Sequence, residues 1–327
     1  MPPPPSPYLS RRDCLHAVLL AVLSGAVAAC RPPVPLLRVG SNGWPGYLML
    51  ELAAQSGLYA PEQIRVIRFP SSTLVMQGLS SGALEAACLT LDEVLSMRAE
   101  GVPLQVAAVL DISAGADMLL VRDGIATLAQ LAGKRIGVEQ SAVGAVMLDA
   151  VLQQAHLQPA DITLVPLLAN RHEQAFLSGE LDAVVTFEPH ASRLMAAGAK
   201  LLFSSMAIPG RILNVLAVRS DVVDEQHRHL QLLLDGHFRM LTGFIQQERG
   251  VLSGLATLLA TDGQAVKSLY WGLRMPDRQE NQDWITGQSP LLLPAARQLQ
   301  QVMQAAGLLR SNASLDQLLL PLSGGAS

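Results

Sequence analysis

The chain has 327 residues, a formal net charge of −4 and only 15% charged residues, and this length is typical of about two domains. Nucleic-acid binding is disfavoured because phosphate contacts need clustered lysine and arginine, and the sequence has no basic block. An aromatic content of 4% also argues against a stacking surface for single strands.

The first thirty residues have the pattern of an export signal. Arg11 and Arg12 precede an apolar run over residues 17–29, which is shorter than the roughly 20 residues that cross a bilayer. The run ends in Val27-Ala28-Ala29-Cys30, which resembles a bacterial lipobox. We therefore predict a lipoprotein signal peptide over residues 1–30, lipidation of Cys30 and a proline-rich tether over residues 31–35. The alternative is an ordinary secretory signal in which Cys30 is incidental.

Export places the folded body in the periplasm or cell envelope, anchored to the membrane through its N-terminal lipid. The stretch from Ser10 to Leu15 resembles a twin-arginine signal in which Cys14 replaces the usual phenylalanine. The sequence is therefore compatible with export through either the Sec or the Tat route. Only Cys88 remains in the body, so no intrachain disulfide is expected.

Beyond the tether, short apolar runs alternate with helical patterns in a βαβ rhythm that restarts near residue 127. Ile212 to Arg219 has the pattern of a return crossover strand, and the remainder is helical. These patterns predict an α/β fold with two lobes, lobe 1 from residues 36–120 plus 217–327 and lobe 2 from residues 121–216. In such folds a ligand binds between the lobes, which close about a hinge.

Several segments, in order, resemble one known family. They are Gly43-Trp44-Pro45-Gly46-Tyr47, then residues 81–87 and 131–138, and finally residues 178–185 followed by Thr186-Phe187-Glu188-Pro189. Together they are similar to the nitrate-, sulfonate- and taurine-binding solute receptors and the thiamin-precursor-binding proteins. The resemblance implies a type II periplasmic-binding-protein clamshell with hinge crossovers and a helical C-terminal region. It also implies a monomer that delivers a small molecule to the permease subunits of an ABC importer.

The candidate ligand-binding residues lie mainly where predicted strands end and helices begin, or on the crossovers. They are Trp44, Tyr47, Ser71, Ser72, Thr90, Asp117, Ser141, Val143, Glu188 and Asn214. Each has a structural alternative: the two rings can pack into the first lobe, the hydroxyl residues can be ordinary N-caps, and Glu188 can stabilise a helix N-terminus. Asp117 can cap a turn, and Asn214 needs a polar partner, either ligand or hinge backbone.

No phosphate loop, nucleophile elbow or His-Glu-x-x-His pair is present, and the histidines are scattered. We therefore predict no catalytic residue, no metal site and no cofactor. Two alternatives remain open, a ligand-sensing receptor and a cofactor-free pyrimidine-synthase-like enzyme on the same fold, although the cysteine-rich motif of those synthases is missing. The solute is either sulfonate-, taurine- or nitrate-like, or pyrimidine- or amine-like. Glu188 and Asp117 favour an organic, amine-bearing or partly aromatic molecule.

Overall fold

The computed structural model describes residues 34–139, 142–309 and 311–322. The fold reported below is that of the compact unit Leu36–Ser327. The predictions made for the signal peptide, for lipidation of Cys30 and for Ser141 fall outside the described residues.

The strands form two sheets of mixed direction. The first sheet has the order β11-β4-β10-β3-β1-β2 and the second has the order β7-β6-β8-β5-β9. The strands are β1 (Leu37–Ser41), β2 (Ile64–Arg68), β3 (Ala86–Thr90), β4 (Leu104–Ser113), β5 (Met118–Val121), β6 (Arg135–Val138), β7 (Thr163–Pro166), β8 (Ala183–Thr186), β9 (Lys200–Ser204), β10 (Leu213–Arg219) and β11 (Leu273–Arg274). Strands β1, β2 and β3 run parallel, whereas β10 runs antiparallel to both β3 and β4.

Helices connect and cover the strands. They are α1 (Leu48–Gln55), α2 (Ser72–Ser80), α3 (Leu91–Ala99), α4 (Ala142–Ala155), α5 (His172–Leu177), α6 (His190–Ala196), α7 (Val223–Ile245), α8 (Arg249–Leu259), α9 (Val266–Leu269), α10 (Arg278–Ile285) and α11 (Leu292–Ala305). Helices α1 and α7 share one buried apolar cluster with strand β1 of the first sheet. No helix in the described ranges combines the length and the apolar character that crossing a membrane requires.

The two crossovers join the sheets between β4 and β5 and between β9 and β10. Strand β5 belongs wholly to the second sheet and β10 wholly to the first, whereas the predicted lobe limits at residues 120/121 and 216/217 cut through both strands. Hydrophobic patterning gives no sign of which sheet a strand joins, because β5 and β10 are both mainly apolar and both are buried along nearly their whole length. We keep the two-lobe division as a proposal, with its limits moved to these crossovers.

Strand β4 is held by a side chain from the helical region. The register of β4 against β10 shifts twice, and Asn281 of α10 accepts a hydrogen bond from Val109 N at 2.8 Å and donates one to Val109 O at 3.0 Å. The short strand β11 pairs with β4 only at Ile112 and Ser113, so the amide of Asn281 takes the place of a strand partner for Val109.

We expect Asn281→Ala to lower the free energy of unfolding by about 2 kcal/mol, because it leaves buried backbone groups of β4 unpaired. Urea denaturation measures this, with Asn170→Ala as a control at an exposed asparagine. Equal stability of the two variants would contradict this role for Asn281.

Candidate functional site

A cavity lies between the two sheets, and its wall is drawn from both. The described residues that line it are Asn42, Trp44, Tyr47, Ser72, Thr90, Asp117, Val138, Glu139, Val143, Gly144, Met147, His172, Val185, Thr186, Phe187 and Asn214. Most of them follow strand ends or begin helices, the positions at which α/β sheets bind ligands.

Aromatic rings form one part of the wall. Trp44 and Tyr47 belong to a short turn after β1, and their ring centroids are 6.5 Å apart. Phe187, which follows β8 of the second sheet, meets Trp44 edge to face at a centroid distance of 5.2 Å. The Trp44–Phe187 contact therefore joins the two halves of the site through apolar surface.

A buried polar network fixes these rings. Trp44 Nε1 donates to Asp111 Oδ2 at 2.9 Å, Asn214 Nδ2 donates to Asp111 Oδ1 at 2.8 Å, and Tyr47 Oη donates to Asn214 Oδ1 at 2.6 Å. Burial raises the pKa of Asp111 to about 7, although the hydrogen bonds from Trp44 and Asn214 oppose that shift. Gly46 is required in this turn because a Cβ there would overlap the Asp111 carboxylate. The predicted need of Asn214 for a partner is thus met by Asp111 and Tyr47.

Asp117 lies on the first crossover, beside a pair of buried serines. Ser113 Oγ and Ser205 Oγ are 2.7 Å apart and bind the backbone N–H groups of Asp117 and Gly115, respectively. Asp117 is 5% exposed, and its Oδ2 has no hydrogen-bond partner among the described residues. Burial raises its pKa to about 7. Asp117 thus lines the cavity from the crossover that joins the two sheets.

Glu139, which follows β6 of the second sheet, reaches the N-terminus of α2 beside the first sheet. Its Oε1 accepts hydrogen bonds from Thr73 N at 3.1 Å and from Thr73 Oγ1 at 3.0 Å. Ser71 caps the same helix by accepting from Leu74 N. The N-terminus of α2, where free N–H groups could otherwise bind an external anion, is therefore occupied by a carboxylate of the chain itself.

His172 begins α5 and is 1% exposed. Its Nδ1 lies 3.1 Å from Thr186 Oγ1, and its Nε2 has no partner among the described residues. Burial lowers its pKa to about 3, so the imidazole is neutral at physiological pH.

Seven of the ten predicted residues line the cavity, namely Trp44, Tyr47, Ser72, Thr90, Asp117, Val143 and Asn214. Ser71 and Glu188 do not belong to the described lining. Ser71 is the N-cap of α2, and the Glu188 carboxylate accepts hydrogen bonds from Ser192 N at 3.0 Å and Ser192 Oγ at 2.8 Å at the start of α6. Local capping, the structural alternative considered for both residues, accounts for their positions.

Several lining residues escaped the sequence-based prediction: Asn42, Val138, Glu139, Gly144, Met147, His172, Val185, Thr186 and Phe187. Asn42, Glu139 and Phe187 directly follow β1, β6 and β8, so the strand-end rule that selected Trp44 applied equally to them. His172 was dismissed as one of several scattered histidines. Its place in the cavity depends on packing of α5 that sequence spacing does not reveal.

The described lining carries acidic but no basic side chains. Asp117 and Glu139 supply its carboxyl groups, and no lysine or arginine is among these residues. Within the described ranges, no group of three or more histidine, cysteine, aspartate or glutamate side chains is placed to hold a metal ion.

A family model described as NMT1/THI5 like matches residues 44–231, more than half of the chain. A candidate aliphatic sulfonates-binding protein of Escherichia coli (strain K12) is 27% identical over 193 residues. That alignment spans 57% of this chain and 60% of the length of the relative.

Solved structures share the fold at low identity. The alkanesulfonate-binding protein SsuA from Xanthomonas axonopodis pv. citri, bound to MOPS, matches with a TM-score of 0.72 at 20% identity, covering 89% of this chain and 99% of that one. The desulfurization enzyme DSZB matches with a TM-score of 0.57 at 20% identity, covering 88% and 96%. These likenesses confirm the predicted fold class, a two-lobed periplasmic-binding-protein clamshell, and the fold hosts both binding proteins and an enzyme.

Proposed function

Because the chain belongs to the NMT1/THI5-like family, we propose that it is the solute-binding receptor of an ABC importer and closes its lobes over a small organic molecule. The observation that carries this proposal is the cavity between the sheets, whose wall comes from both of them. A receptor of this kind works by binding and hinge closure and breaks no covalent bond.

Two contacts across the cavity support closure as the mechanism. The first is the edge-to-face contact of Trp44 with Phe187, and the second is the pair of hydrogen bonds from Thr73 to Glu139. Each joins a residue beside the first sheet to a residue beside the second. A solute that touches both walls would add to these contacts only in the closed form, and would therefore shift the population towards closure.

The chemistry of the lining favours binding over catalysis. Among the described lining residues, Thr186 and His172 are the only pair in which a hydroxyl group lies within hydrogen-bond distance of an imidazole. A pKa of about 3 makes His172 a poor general base near neutral pH. Cys88 is buried on β3, outside the described lining, and burial raises the pKa of its thiol well above the ordinary value. A thiolate nucleophile at this site is therefore not expected.

We expect Trp44→Phe to weaken solute binding about tenfold, because the smaller ring loses contact area and the hydrogen bond to Asp111. Trp271→Phe is the matched control, since Trp271 is 59% exposed and is not among the described lining residues. A solute present at one hundred times its dissociation constant should stabilise the wild type by about 2.7 kcal/mol, which a thermal-shift assay detects. If no small molecule raises the melting temperature, the receptor function is wrong.

The anchoring of this receptor is a separate part of the proposal. We infer from the lipobox-like sequence ending at Cys30 that the mature protein is a lipid-anchored monomer in the periplasm or cell envelope, where permease subunits are accessible. Cells fed a labelled fatty acid should incorporate label into the wild type but not into Cys30→Ala. Labelling of both proteins would rule out Cys30 as the lipidated residue.

A further inference from the structure

Charge is the feature that separates this cavity from a site for sulfonates or other anions. We propose that the solute is a small, ring-bearing cation, a protonated amine or protonated ring nitrogen, whose N–H group binds Asp117. This inference rests on the receptor function proposed above and names the chemical class of its solute.

Asp117 is the first observation. Asp117 is 5% exposed, and its Oδ2 is buried with no hydrogen-bond partner within the described residues. A buried polar atom without a partner is rare and costs free energy, so it indicates a group that is satisfied in another state of the protein. A carboxylate oxygen accepts hydrogen bonds and attracts positive charge, which are the properties that a cationic N–H group requires.

The second observation is the absence of a counter-charge for an anion in the described lining. Asp117 and Glu139 face the cavity, Asp111 lies directly behind Trp44 and Asn214, and no described lining residue is lysine or arginine. His172 is neutral and supplies no positive charge. A sulfonate in this cavity would meet two carboxyl groups without an ion-pair partner.

The third observation concerns the N-terminus of α2, one of the helix N-termini beside the cavity. An anion needs no lysine or arginine when it binds the free N–H groups of a helix. At α2, however, Glu139 already accepts from both Thr73 N and Thr73 Oγ1. The carboxylate of Glu139 therefore satisfies these donors. It also places a negative charge at this helix end, and that charge would repel an anionic ligand.

The aromatic wall accounts for the ring. The rings of Trp44, Tyr47 and Phe187 all line the cavity. Aromatic faces bind cations and stack on planar rings. A cation that carries a flat ring uses both the carboxyl group on the crossover and these aromatic surfaces. Trp44 follows β1 of the first sheet, Asp117 lies on the first crossover and Phe187 follows β8 of the second sheet. A solute in contact with all three therefore touches both sides of the cavity, as the proposed closure requires.

The test is isothermal titration of the purified protein with matched ring compounds of opposite charge. The probes are benzylamine and 4-aminopyridine as cations, and benzenesulfonate, taurine and nitrate as the anionic and zwitterionic controls. We expect at least one of the two cations to bind at least 100-fold more tightly than benzenesulfonate. Asp117→Asn should weaken that cation at least tenfold. Asp123→Asn, at an exposed aspartate, should leave its affinity unchanged.

The outcomes separate this inference from the proposed function. Tighter binding of a sulfonate, taurine or nitrate would overturn the cation assignment while supporting the receptor function. If none of the five probes binds, the cation assignment is overturned. If a wider thermal-shift screen also finds no ligand, the proposed receptor function is overturned as well. A cation affinity unchanged in Asp117→Asn would remove Asp117 from the site. Melting curves of the variant show whether it is folded, and Glu139→Gln provides a second acidic variant, for which weaker cation binding is expected.

Discussion

Raising the pH from 6 to 8 is expected to lower the free energy of unfolding of the unliganded protein by about 3 kcal/mol. The cause is a set of buried carboxyl groups near the cavity. Burial raises the pKa of Asp111 and Asp117 to about 7. It also raises the pKa values of Asp92 and Glu93, where Asp92 has no hydrogen-bond partner for either oxygen among the described residues.

The direction follows from proton binding. Between the pKa values of the unfolded chain, near 4, and the raised values in the folded protein, the folded state holds protons that the unfolded state has lost. Stability is therefore greatest below this window and falls as the pH rises through it. The lowered pKa values of buried His172 and His237 act in the opposite direction. Their effect fades as the pH rises past about 6.5 and is small above about pH 7.5, where unfolded histidine is also neutral.

Urea denaturation at intervals between pH 6 and 8 measures the effect. The double variant Asp92→Asn, Glu93→Gln should show a flatter dependence, because it replaces two of the titrating groups with neutral groups of similar shape. Asp182→Asn is the matched control, since Asp182 is paired with Arg135 near the surface and its pKa is lowered. Stability that rises between pH 6 and 8 would contradict the raised pKa values of these buried carboxyl groups.

The second large effect concerns the network beneath the aromatic wall. Asn214→Ala is expected to lower the free energy of unfolding by about 3 kcal/mol, because Asn214 is 2% exposed and both ends of its amide are used. Its loss leaves the Tyr47 hydroxyl and one oxygen of Asp111 without their partner, and each unsatisfied buried group costs about 1–3 kcal/mol. Asn170→Ala, at an exposed asparagine, should change stability by less than about 0.5 kcal/mol.

A double-mutant cycle with Tyr47→Phe isolates the contact between the two side chains. Removing the hydroxyl should make the Asn214→Ala substitution less costly, since one of the two orphaned groups is then absent. The free energies are compared by urea denaturation at pH 6. Additive effects of the two substitutions would show that the Tyr47–Asn214 hydrogen bond contributes nothing to stability.

Local patterning predicted the βαβ architecture well, because alternation of apolar runs with turns and caps is set by neighbouring residues. The same reasoning marked Asn214 as a polar residue on an apolar strand that needed a partner. It did not identify Asp111, which lies 103 residues away in sequence on β4 and pairs with Asn214 only through the sheet order β4-β10. Contacts of this range depend on which strands become neighbours.

Glu188 shows a different limit of the sequence-based reasoning. Its position after a strand suggested a ligand contact, but the structure gives it two hydrogen bonds to Ser192, four residues on. Glu139 shows the reverse case. It also follows a strand, yet its partner Thr73 is 66 residues away. Position at a strand end selects candidates, and the tertiary partner decides whether the side chain turns to its own helix or to the cavity.

A crystal structure of the protein with 4-bromobenzylamine tests the cation-receptor function most directly, because anomalous scattering from bromine locates the ring. We expect the ring inside the cavity against Trp44, and the ammonium nitrogen about 3 Å from Asp117 Oδ2. A bromine site outside the cavity, or an ammonium group turned away from Asp117 in the occupied cavity, would contradict it.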